Sequence, residues 1–302
     1  MTLSTLETTP HVQPAEVQAL LKTAVRNETP CGTGTIVWHC WGPNADTSTD
    51  PKSMPPHAPV LLFHGGSGSW THWLRNIEPL VAAGRRVLVP DLPGFGDSAL
   101  PAQGHDADAL PEPIEQGLRL LLGNTACDVV GFSFGSMVAG FLAAQFPGRI
   151  ARLVVVGAPV MGLGPEKALR LKAWRHLTDP DQLDAVHSHN LAAFMLYSPA
   201  SISVLALRVH AANVVRDRML RRCLSRTDAL GRSLARVQCP VYAIYGREDI
   251  LYQGKHDELE LALQKIQDFR GLNWLDAAGH WVQFERADAF NAALLRCLHE
   301  AI

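Results

Sequence analysis

The 302-residue sequence lacks the features that point most directly to a membrane or a nucleic acid as a partner. No uncharged apolar stretch approaches the ~20 residues that a membrane-spanning helix requires. The 27 Lys and Arg residues are balanced by 29 Asp and Glu residues, so no basic excess is available to neutralise a phosphate backbone. We therefore predict that the protein binds neither a membrane nor nucleic acid.

Cysteine is also scarce, and the six cysteines are scattered along the chain without a C-x-x-C pair. That spacing is typical of zinc and redox sites, so its absence predicts a protein without a metal or a cofactor. Residues 1–30 contain glutamates and prolines but no unbroken apolar run, and so do not resemble a secretory signal. We therefore expect reduced, mostly buried cysteines and a cytoplasmic location.

Apolar residues make up 47% of the sequence, which is enough for a folded core. Residues 42–57, rich in Pro, Asp, Ser and Thr, are predicted to form an exposed loop. Beyond that loop, apolar strands alternate with helical patterns, which favours an α/β fold with a mostly parallel sheet and helices on both faces. The predicted strands cover residues 60–63, 86–89, 128–130, 153–156, 241–245 and 272–275, and the clearest helices cover 134–146 and 287–302.

Residues 161–230 interrupt this alternation with helical periodicity and no buried strand. A helical insertion between two strands commonly lies over the strand ends, where ligands bind in such folds. We therefore predict a helical cap over residues 161–230 and a sheet domain made of residues 1–160 and 231–302. Extra helices packed away from any site are the alternative. The helical patterns within the cap cover 169–177, 191–196 and 202–224.

Residues 131–135 read Gly-Phe-Ser-Phe-Gly, a G-x-S-x-G pattern between an apolar strand and a helical run. Small residues on both flanks allow a sharp turn, which leaves the Ser133 hydroxyl exposed at the start of the helix. The helix dipole favours negative charge at that end. The pattern predicts a nucleophilic serine, whereas a serine that only caps the helix is the alternative.

A serine hydroxyl needs a base to accept its proton, and the base needs a third group to orient it. In this arrangement an acid and then a histidine are expected, each directly after a strand. Asp249 follows the strand at 241–245, and His280 follows the strand at 272–275. Both positions fit, with Glu248 as the competing acid. The other histidine at a strand end, His64, is expected to support its loop rather than to transfer protons.

The negative charge that develops on an attacked carbonyl oxygen needs hydrogen-bond donors. The backbone N–H of Phe134, directly after the nucleophile, is one candidate. The second is expected from the glycine-rich residues 64–68, with Gly66 as our choice, because glycine lets the backbone approach a substrate closely. Such a loop could instead hold phosphate, but the sequence has neither the Walker pattern nor G-x-G-x-x-G with a downstream acid.

With these motifs, the sequence resembles the α/β-hydrolase family over most of residues 58–302. Within that family it is most similar to the meta-cleavage-product hydrolases, which cut a carbon–carbon bond in 2-hydroxy-6-oxo-dienoates. The His-Gly-Gly loop and the G-x-S-x-G turn are typical of the superfamily, and the His-Trp-x-Gln-aromatic-Glu run is typical of this branch. The resemblance implies an α/β-hydrolase fold, a small-molecule substrate and no cofactor, and it suggests a homodimer. The likeness is densest over residues 62–66, 70–77, 87–98 and 279–288.

The resemblance also implies substrate-binding residues, and it shows departures. The branch usually has asparagines where this chain has His72 and Phe132, and both asparagines help to hold the dienoate. An aromatic residue at position 132 implies a less polar pocket. Arg208 is the closest match to a cap arginine that grips the substrate carboxylate, with a solvated charged face as the alternative. Trp281 would line the pocket, with core packing as the alternative.

These observations predict a metal-independent serine hydrolase in which activated Ser133, or a water molecule, attacks a substrate carbonyl. The resemblance implies hydrolysis of a carbon–carbon bond in a dienoate. A general carboxylic-ester hydrolase that acts on an aryl ester or a lactone is the alternative. A non-catalytic ligand receptor on the same fold is a further one.

Overall fold

The computed structural model describes residues 13–45, 57–159, 162–163 and 169–299. Its centre is an eight-stranded sheet with the order β1-β2-β4-β3-β5-β6-β7-β8. β2 is antiparallel to β1 and β4, and the six strands β3 to β8 are mutually parallel. The strands are β1 (Val25–Cys31), β2 (Gly34–Trp41), β3 (Val60–Phe63), β4 (Val87–Pro90), β5 (Cys127–Phe132), β6 (Ile150–Val156), β7 (Val241–Gly246) and β8 (Phe269–Leu275).

Helices cover both faces of this sheet, because each central strand is apolar in both directions. In β3, Leu61 and Phe63 belong to one hydrophobic cluster while Val60 and Leu62 belong to another. Side chains alternate between the faces of a strand, so the two clusters are the two sides of the sheet. The predicted α/β class is confirmed. The α-helices are α1 (Ala15–Thr23), α2 (Ile77–Ala82), α3 (Pro111–Leu122), α4 (Phe134–Gln145), α5 (Pro180–Asn190), α6 (Val204–Val214), α7 (Ala229–Leu234), α8 (His256–Leu263), α9 (Val282–Glu285) and α10 (Ala287–His299).

All six predicted strands are confirmed, but the hairpin of β1 and β2 was not predicted. Exposed and part-buried residues alternate along most of β1, whereas β2 is buried from Ile36 to Trp41. β1 lies at the edge of the sheet, and β2 pairs with β4. The hairpin therefore adds two antiparallel strands to the parallel part of the sheet. Of the predicted loop at 42–57, residues 46–56 lie outside the described part of the chain, as do residues 300–302 of the last predicted helix.

Residues 169–234 between β6 and β7, the inserted segment, are less regular than their sequence pattern predicts. The helix expected over 169–177 is absent from these described residues. Instead, the Asn190 side chain bonds to both backbone groups of Lys172, at 2.8 and 3.0 Å, which replaces bonds within a helix. The helix expected over 202–224 ends at Val214. Beyond it, the backbone N–H of Arg218 donates to the Gly94 carbonyl of the sheet domain.

Two helical elements of the inserted segment differ from the sequence prediction. α5 was not predicted, although Asp179 caps its first turn by accepting from the Gln182 N–H at 2.9 Å. The short helix predicted over 191–196 is a π-helical turn, Leu191–Met195, which continues α5. Within the described ranges, no helix has the length and apolar character needed to cross a membrane.

Candidate active site

The candidate nucleophile lies in a strained turn between β5 and α4. Ser133 has a φ of +52° and a ψ of −117°, a conformation that costs energy in a residue with a side chain. Gly131 and Gly135 make the turn possible, because a Cβ on Gly131 would lie 2.5 Å from the Gly135 carbonyl oxygen. A Cβ on Gly135 would meet the carbonyl oxygens of Phe63, the last residue of β3, and of His64. The fold therefore holds the serine hydroxyl at a fixed position above the sheet.

Ser133 is hydrogen-bonded to a histidine that is itself bonded to a carboxylate. His280 Nε2 lies 2.9 Å from Ser133 Oγ, and His280 Nδ1 lies 2.8 Å from Asp249 Oδ2. A carboxylate only accepts hydrogen bonds, so Nδ1 carries the proton and Nε2 is left to accept from the serine. Both Asp249 and His280 are buried, at 0% and 1% exposure. Such an arrangement can move a proton from the hydroxyl to the imidazole.

Asp249 is the acid that the fold brings to His280. Its other oxygen, Oδ1, accepts from the Leu251 N–H at 3.0 Å, which fixes the carboxylate in the turn after β7. Glu248, the competing acid, lies in the same turn, where its own N–H donates to the Ala278 carbonyl. The structure records no bond between the Glu248 side chain and the imidazole.

Two aromatic rings enclose the imidazole of His280. Phe194 of the inserted segment is stacked on it with ring centres 4.7 Å apart, and Phe132 contacts it at 5.1 Å. Phe132 is fully buried beside the serine, at the position where the similar hydrolases usually have an asparagine. Phe194 lies within the helical pattern predicted over 191–196, and a helical period does not show which face a ring will cover.

Gly66 and Phe134, the two predicted oxyanion donors, are neighbours in space. A Cβ on Gly66 would lie 3.6 Å from the Cβ of Phe134. Phe134 is the first residue of α4, so its N–H belongs to the first turn, whose N–H groups have no partner within the helix. Both residues border the same cavity as Ser133.

Two buried histidines hold the residue before Gly66. The Leu92 N–H donates to His64 Nε2 at 2.9 Å, and His64 Nδ1 donates to the Gly65 carbonyl at 2.8 Å. The Gly65 N–H donates in turn to His72 Nδ1 at 3.2 Å. Burial lowers the pKa of His64 to about 4 and also lowers the pKa of His72, so both rings are neutral and able to accept these bonds at neutral pH. His64 therefore supports its loop, as expected.

Two neighbouring cavities lie at the candidate site. The first has a volume of about 680 Å³ and contains Ser133, His280 and Phe132 in its wall. The second, about 730 Å³, extends from Gly66 past His72 into the inserted segment. They share a wall formed by Gly66, Ser67, Phe194, Met195 and Arg222.

Arg208, the residue predicted to grip a substrate carboxylate, is not brought to either cavity. Its guanidinium forms a two-point ion pair with Asp184 of α5, at 2.6 and 2.8 Å. That partner satisfies its charge within the inserted segment. Trp281 is likewise absent from both cavity walls, since it is fully buried, stacks on Phe284 at 4.2 Å and donates its indole N–H to the His72 carbonyl.

The arginine that lies beside Gly66 is Arg222, which the sequence did not distinguish from its neighbours. Its guanidinium would lie 3.5 Å from a Cβ on Gly66 and is stacked over the rings of Phe95 and Phe134. Asp217 pairs with it at 2.8 and 2.9 Å. Six arginines follow one another closely in this part of the sequence, and only the tertiary structure shows that Arg222 and Arg226 border the cavity at Ser133.

Among the described residues, no cluster of three or more His, Cys, Asp or Glu side chains could hold a metal ion. None of the six cysteines forms a disulfide, and most of them are buried. The groups present at the site are the serine hydroxyl, the imidazole, the carboxylate and the surrounding backbone N–H groups.

Comparisons with known proteins agree on the fold. A family model described as alpha/beta hydrolase fold matches residues 58–236. The chain is 28% identical over 251 residues to a 2-hydroxy-6-oxo-6-phenylhexa-2,4-dienoate hydrolase from Burkholderia cepacia, covering 78% of this chain and 86% of that protein.

Two solved structures are also similar. A meta-cleavage product hydrolase from Pseudomonas fluorescens IP01 has a TM-score of 0.69 and 22% identity, with 91% of this chain and 98% of that chain covered. An esterase from Rhodococcus sp. ECU1013 has a TM-score of 0.68 and 20% identity, with 90% and 98% covered. At such identities these structures show the shared fold alone. The family match and the curated relative confirm the resemblance derived from the sequence motifs.

Proposed function

The chain belongs to the α/β-hydrolase fold family, and we propose that it hydrolyses a small-molecule substrate with Ser133, His280 and Asp249 as its catalytic triad. The observation that carries the proposal is the hydrogen-bonded chain from serine to imidazole to carboxylate at the floor of a cavity. The imidazole accepts the serine proton, and the carboxylate keeps the ring in the required tautomer and stabilises the imidazolium.

In the proposed reaction, Ser133 Oγ forms a bond to the substrate carbonyl carbon while its proton passes to His280 Nε2. The carbonyl oxygen takes up the electron pair, and the backbone N–H groups of Gly66 and Phe134 stabilise its negative charge. When the intermediate collapses, the bond to the leaving group breaks and His280 returns the proton to that group. Water then hydrolyses the acyl group by the same route, or attacks directly in place of the serine.

The name of the Burkholderia cepacia relative supports a 2-hydroxy-6-oxo-dienoate as the substrate, with cleavage of a carbon–carbon bond. In that reaction the leaving atom is carbon, and His280 would return the proton after the substrate has taken its keto form.

A second candidate is the hydrolysis of an uncharged carboxylic ester. It is favoured by the immediate surroundings of the serine, because Asp217 already neutralises Arg222, the arginine that lies beside Gly66. Phe132 adds an apolar wall beside the serine. An acyl group without a carboxylate fits these surroundings better than an anionic one, since a buried anion needs a paired charge.

Turnover of both substrate classes by the same preparation tests the proposal. We expect wild-type protein to hydrolyse p-nitrophenyl butyrate, to react covalently with a fluorophosphonate, and to lose both properties in Ser133→Ala. Parallel assays with 2-hydroxy-6-oxo-6-phenylhexa-2,4-dienoate distinguish the two substrate candidates. A folded wild-type protein that shows neither turnover nor labelling would contradict the proposal and would favour the ligand-receptor alternative.

A further inference from the structure

The loop that contains Gly66 is held on its two sides by different parts of the molecule. Gly65 is bonded to its neighbour His64 and to His72, which lies in the helical turn Trp70–Trp73 directly after the loop. Ser67, on the other side, donates its hydroxyl to Asp217 Oδ2 of the inserted segment at 2.6 Å. Gly66 therefore lies between a local support and a distant one.

Ser67 needs that distant support because of its backbone conformation. Its φ is +51°, in the left-handed region that glycine occupies freely and that residues with a Cβ avoid. A strained residue keeps such a conformation only where its surroundings hold it there. The hydroxyl bond to Asp217 is the side-chain contact recorded for Ser67, and it acts on the residue next to Gly66.

Asp217 is itself held rigidly. Its side chain is 4% exposed, and it accepts from the Met219 N–H at 2.9 Å as well as from both terminal nitrogens of Arg222. Burial acts to raise its pKa, but the hydrogen bonds from Arg222 and Ser67 outweigh burial and hold the pKa below its ordinary value. The carboxylate is therefore charged at neutral pH, and the stacked Arg222 guanidinium offsets its effect on an oxyanion beside Gly66.

We infer that Asp217 is a positioning residue, which acts through Ser67 to hold the Gly66 N–H towards the carbonyl oxygen of the substrate. This inference rests on the proposed function. The inserted segment would then contribute to the chemical step as well as cover the cavity. Donors aimed at the oxyanion act on the transition state, so a misplaced Gly66 lowers kcat with little change in KM.

Two substitutions at position 67 separate this role from a direct contact between the hydroxyl and the substrate. Ser67→Ala removes the tether but keeps the Cβ, so the loop can leave its strained conformation. We expect kcat for p-nitrophenyl butyrate to fall about tenfold or more, towards the ~100-fold that the loss of an oxyanion donor costs. Ser67→Gly also lacks the hydroxyl but adopts a positive φ without strain, so we expect kcat within about threefold of wild type.

Changes at the carboxylate complete the experiment. Asp217→Ala should resemble Ser67→Ala, and it should cost several-fold less when Ser67 is already glycine. Asp184→Ala is the matched control, because it removes a similar arginine partner from the same segment without touching the loop. It should leave kcat unchanged. Thermal unfolding of every variant identifies general destabilisation, and the position-67 pair decides the question if Asp217→Ala does not fold.

Equal losses in Ser67→Ala and Ser67→Gly would overturn the inference, because they would mean that the hydroxyl acts by itself. Wild-type kcat in both variants would overturn it as well. An inert wild-type protein is a different result, since it would remove the proposed function and this inference together.

Discussion

The ends of the parallel strands and the inserted segment both border the candidate site, but they hold their residues in different ways. Ser133 is fixed directly after β5, where its N–H donates to the Val156 carbonyl at 2.8 Å. Asp249 is fixed after β7 in the same manner, by a bond to the Gly246 carbonyl. Phe194 and Arg222, in contrast, reach the site through side-chain contacts between distant parts of the chain.

The difference extends to residues of the same type within the inserted segment. Arg208 and Arg222 both form two-point pairs with aspartates, yet only Arg222 borders the cavities. A residue that directly follows a strand has its place set by the sheet, whereas a residue on an irregular segment has its place set by its partners. The comparison predicts that substitutions at the strand ends lower kcat strongly and that substitutions in the inserted segment lower it less.

The largest effect is expected at the strand end after β5. Ser133→Ala should lower kcat by up to ~10⁶-fold, because members of a triad act as a unit, while the unfolding temperature stays close to that of wild type. Steady-state kinetics with p-nitrophenyl butyrate and thermal unfolding measure the two quantities. Ser201→Ala, a serine of the inserted segment, is the control. Activity retained by Ser133→Ala would place the chemistry elsewhere.

A smaller effect is expected at the strand end after β7. Asp249→Asn should lower kcat by ~10⁴-fold, because an amide no longer holds the imidazole in the required tautomer. Glu248→Gln should have a much weaker effect, since its side chain makes no recorded bond to the ring. Both variants replace a carboxylate by an amide, and they do so at adjacent positions. The kcat values measured side by side therefore identify the acid. The reverse order would show that Glu248 is the acid.

Acid conditions should weaken both regions, through buried histidines. Burial lowers the pKa of His64, in the sheet domain, and of His210, in the inserted segment, to about 4. Between pH 6.5, the ordinary pKa of histidine, and about pH 4, each of these side chains binds a proton in the unfolded chain but not in the folded chain. Stability is therefore full above pH 6.5 and falls as the pH drops, by ~1.4 kcal/mol per pH unit for each such group.

Urea unfolding at pH 7, 6 and 5 measures this dependence. His210→Gln should reduce the slope of the unfolding free energy against pH by one group's share, because it removes one of the lowered pKa values. His57→Gln serves as the control, since it changes a histidine outside both cavities. An unchanged slope in His210→Gln would mean that the His210 ring takes up a proton in the folded protein.

The smallest effect is expected for Arg208→Gln. A part-exposed ion pair contributes ~1 kcal/mol or less to stability, and this guanidinium lines neither cavity. KM for an acidic dienoate and for a neutral aryl ester should therefore change little and to the same extent. A selective rise in KM for the acidic substrate would show that Arg208 reaches the substrate after leaving Asp184, and would end the distinction between the two arginines.

The sequence was sufficient to locate the candidate site residues that follow the ends of strands. Apolar runs identify strands because a sheet covered on both faces needs apolar residues in both directions, and turn residues mark where each strand ends. Ser133, Asp249 and His280 were all found in this way, and the structure brings them within hydrogen-bond distance. The hairpin of β1 and β2 was missed although Ile36 to Trp41 is an apolar and aromatic run typical of a strand.

The inserted segment could be recognised as helical but not described further. A helical period shows that one face is apolar without showing what that face covers. The stretch at 169–177 has such a period, yet Asn190 bonds its backbone in an irregular conformation. Arg208 matched a family pattern, and Asp184 lies 24 residues earlier, a separation at which no local rule predicts a pair.

By itself, the sequence determined the α/β class, the turn that exposes Ser133 and the order of its partners, because these depend on local propensity and on the periodic burial of strands. The tertiary structure decided which arginines border the cavity, which aromatic ring covers His280, and how Ser67 is held by Asp217 across 150 residues. Such contacts join segments that are far apart in the chain. Their choice depends on the packing of the whole fold, which no short stretch of sequence contains.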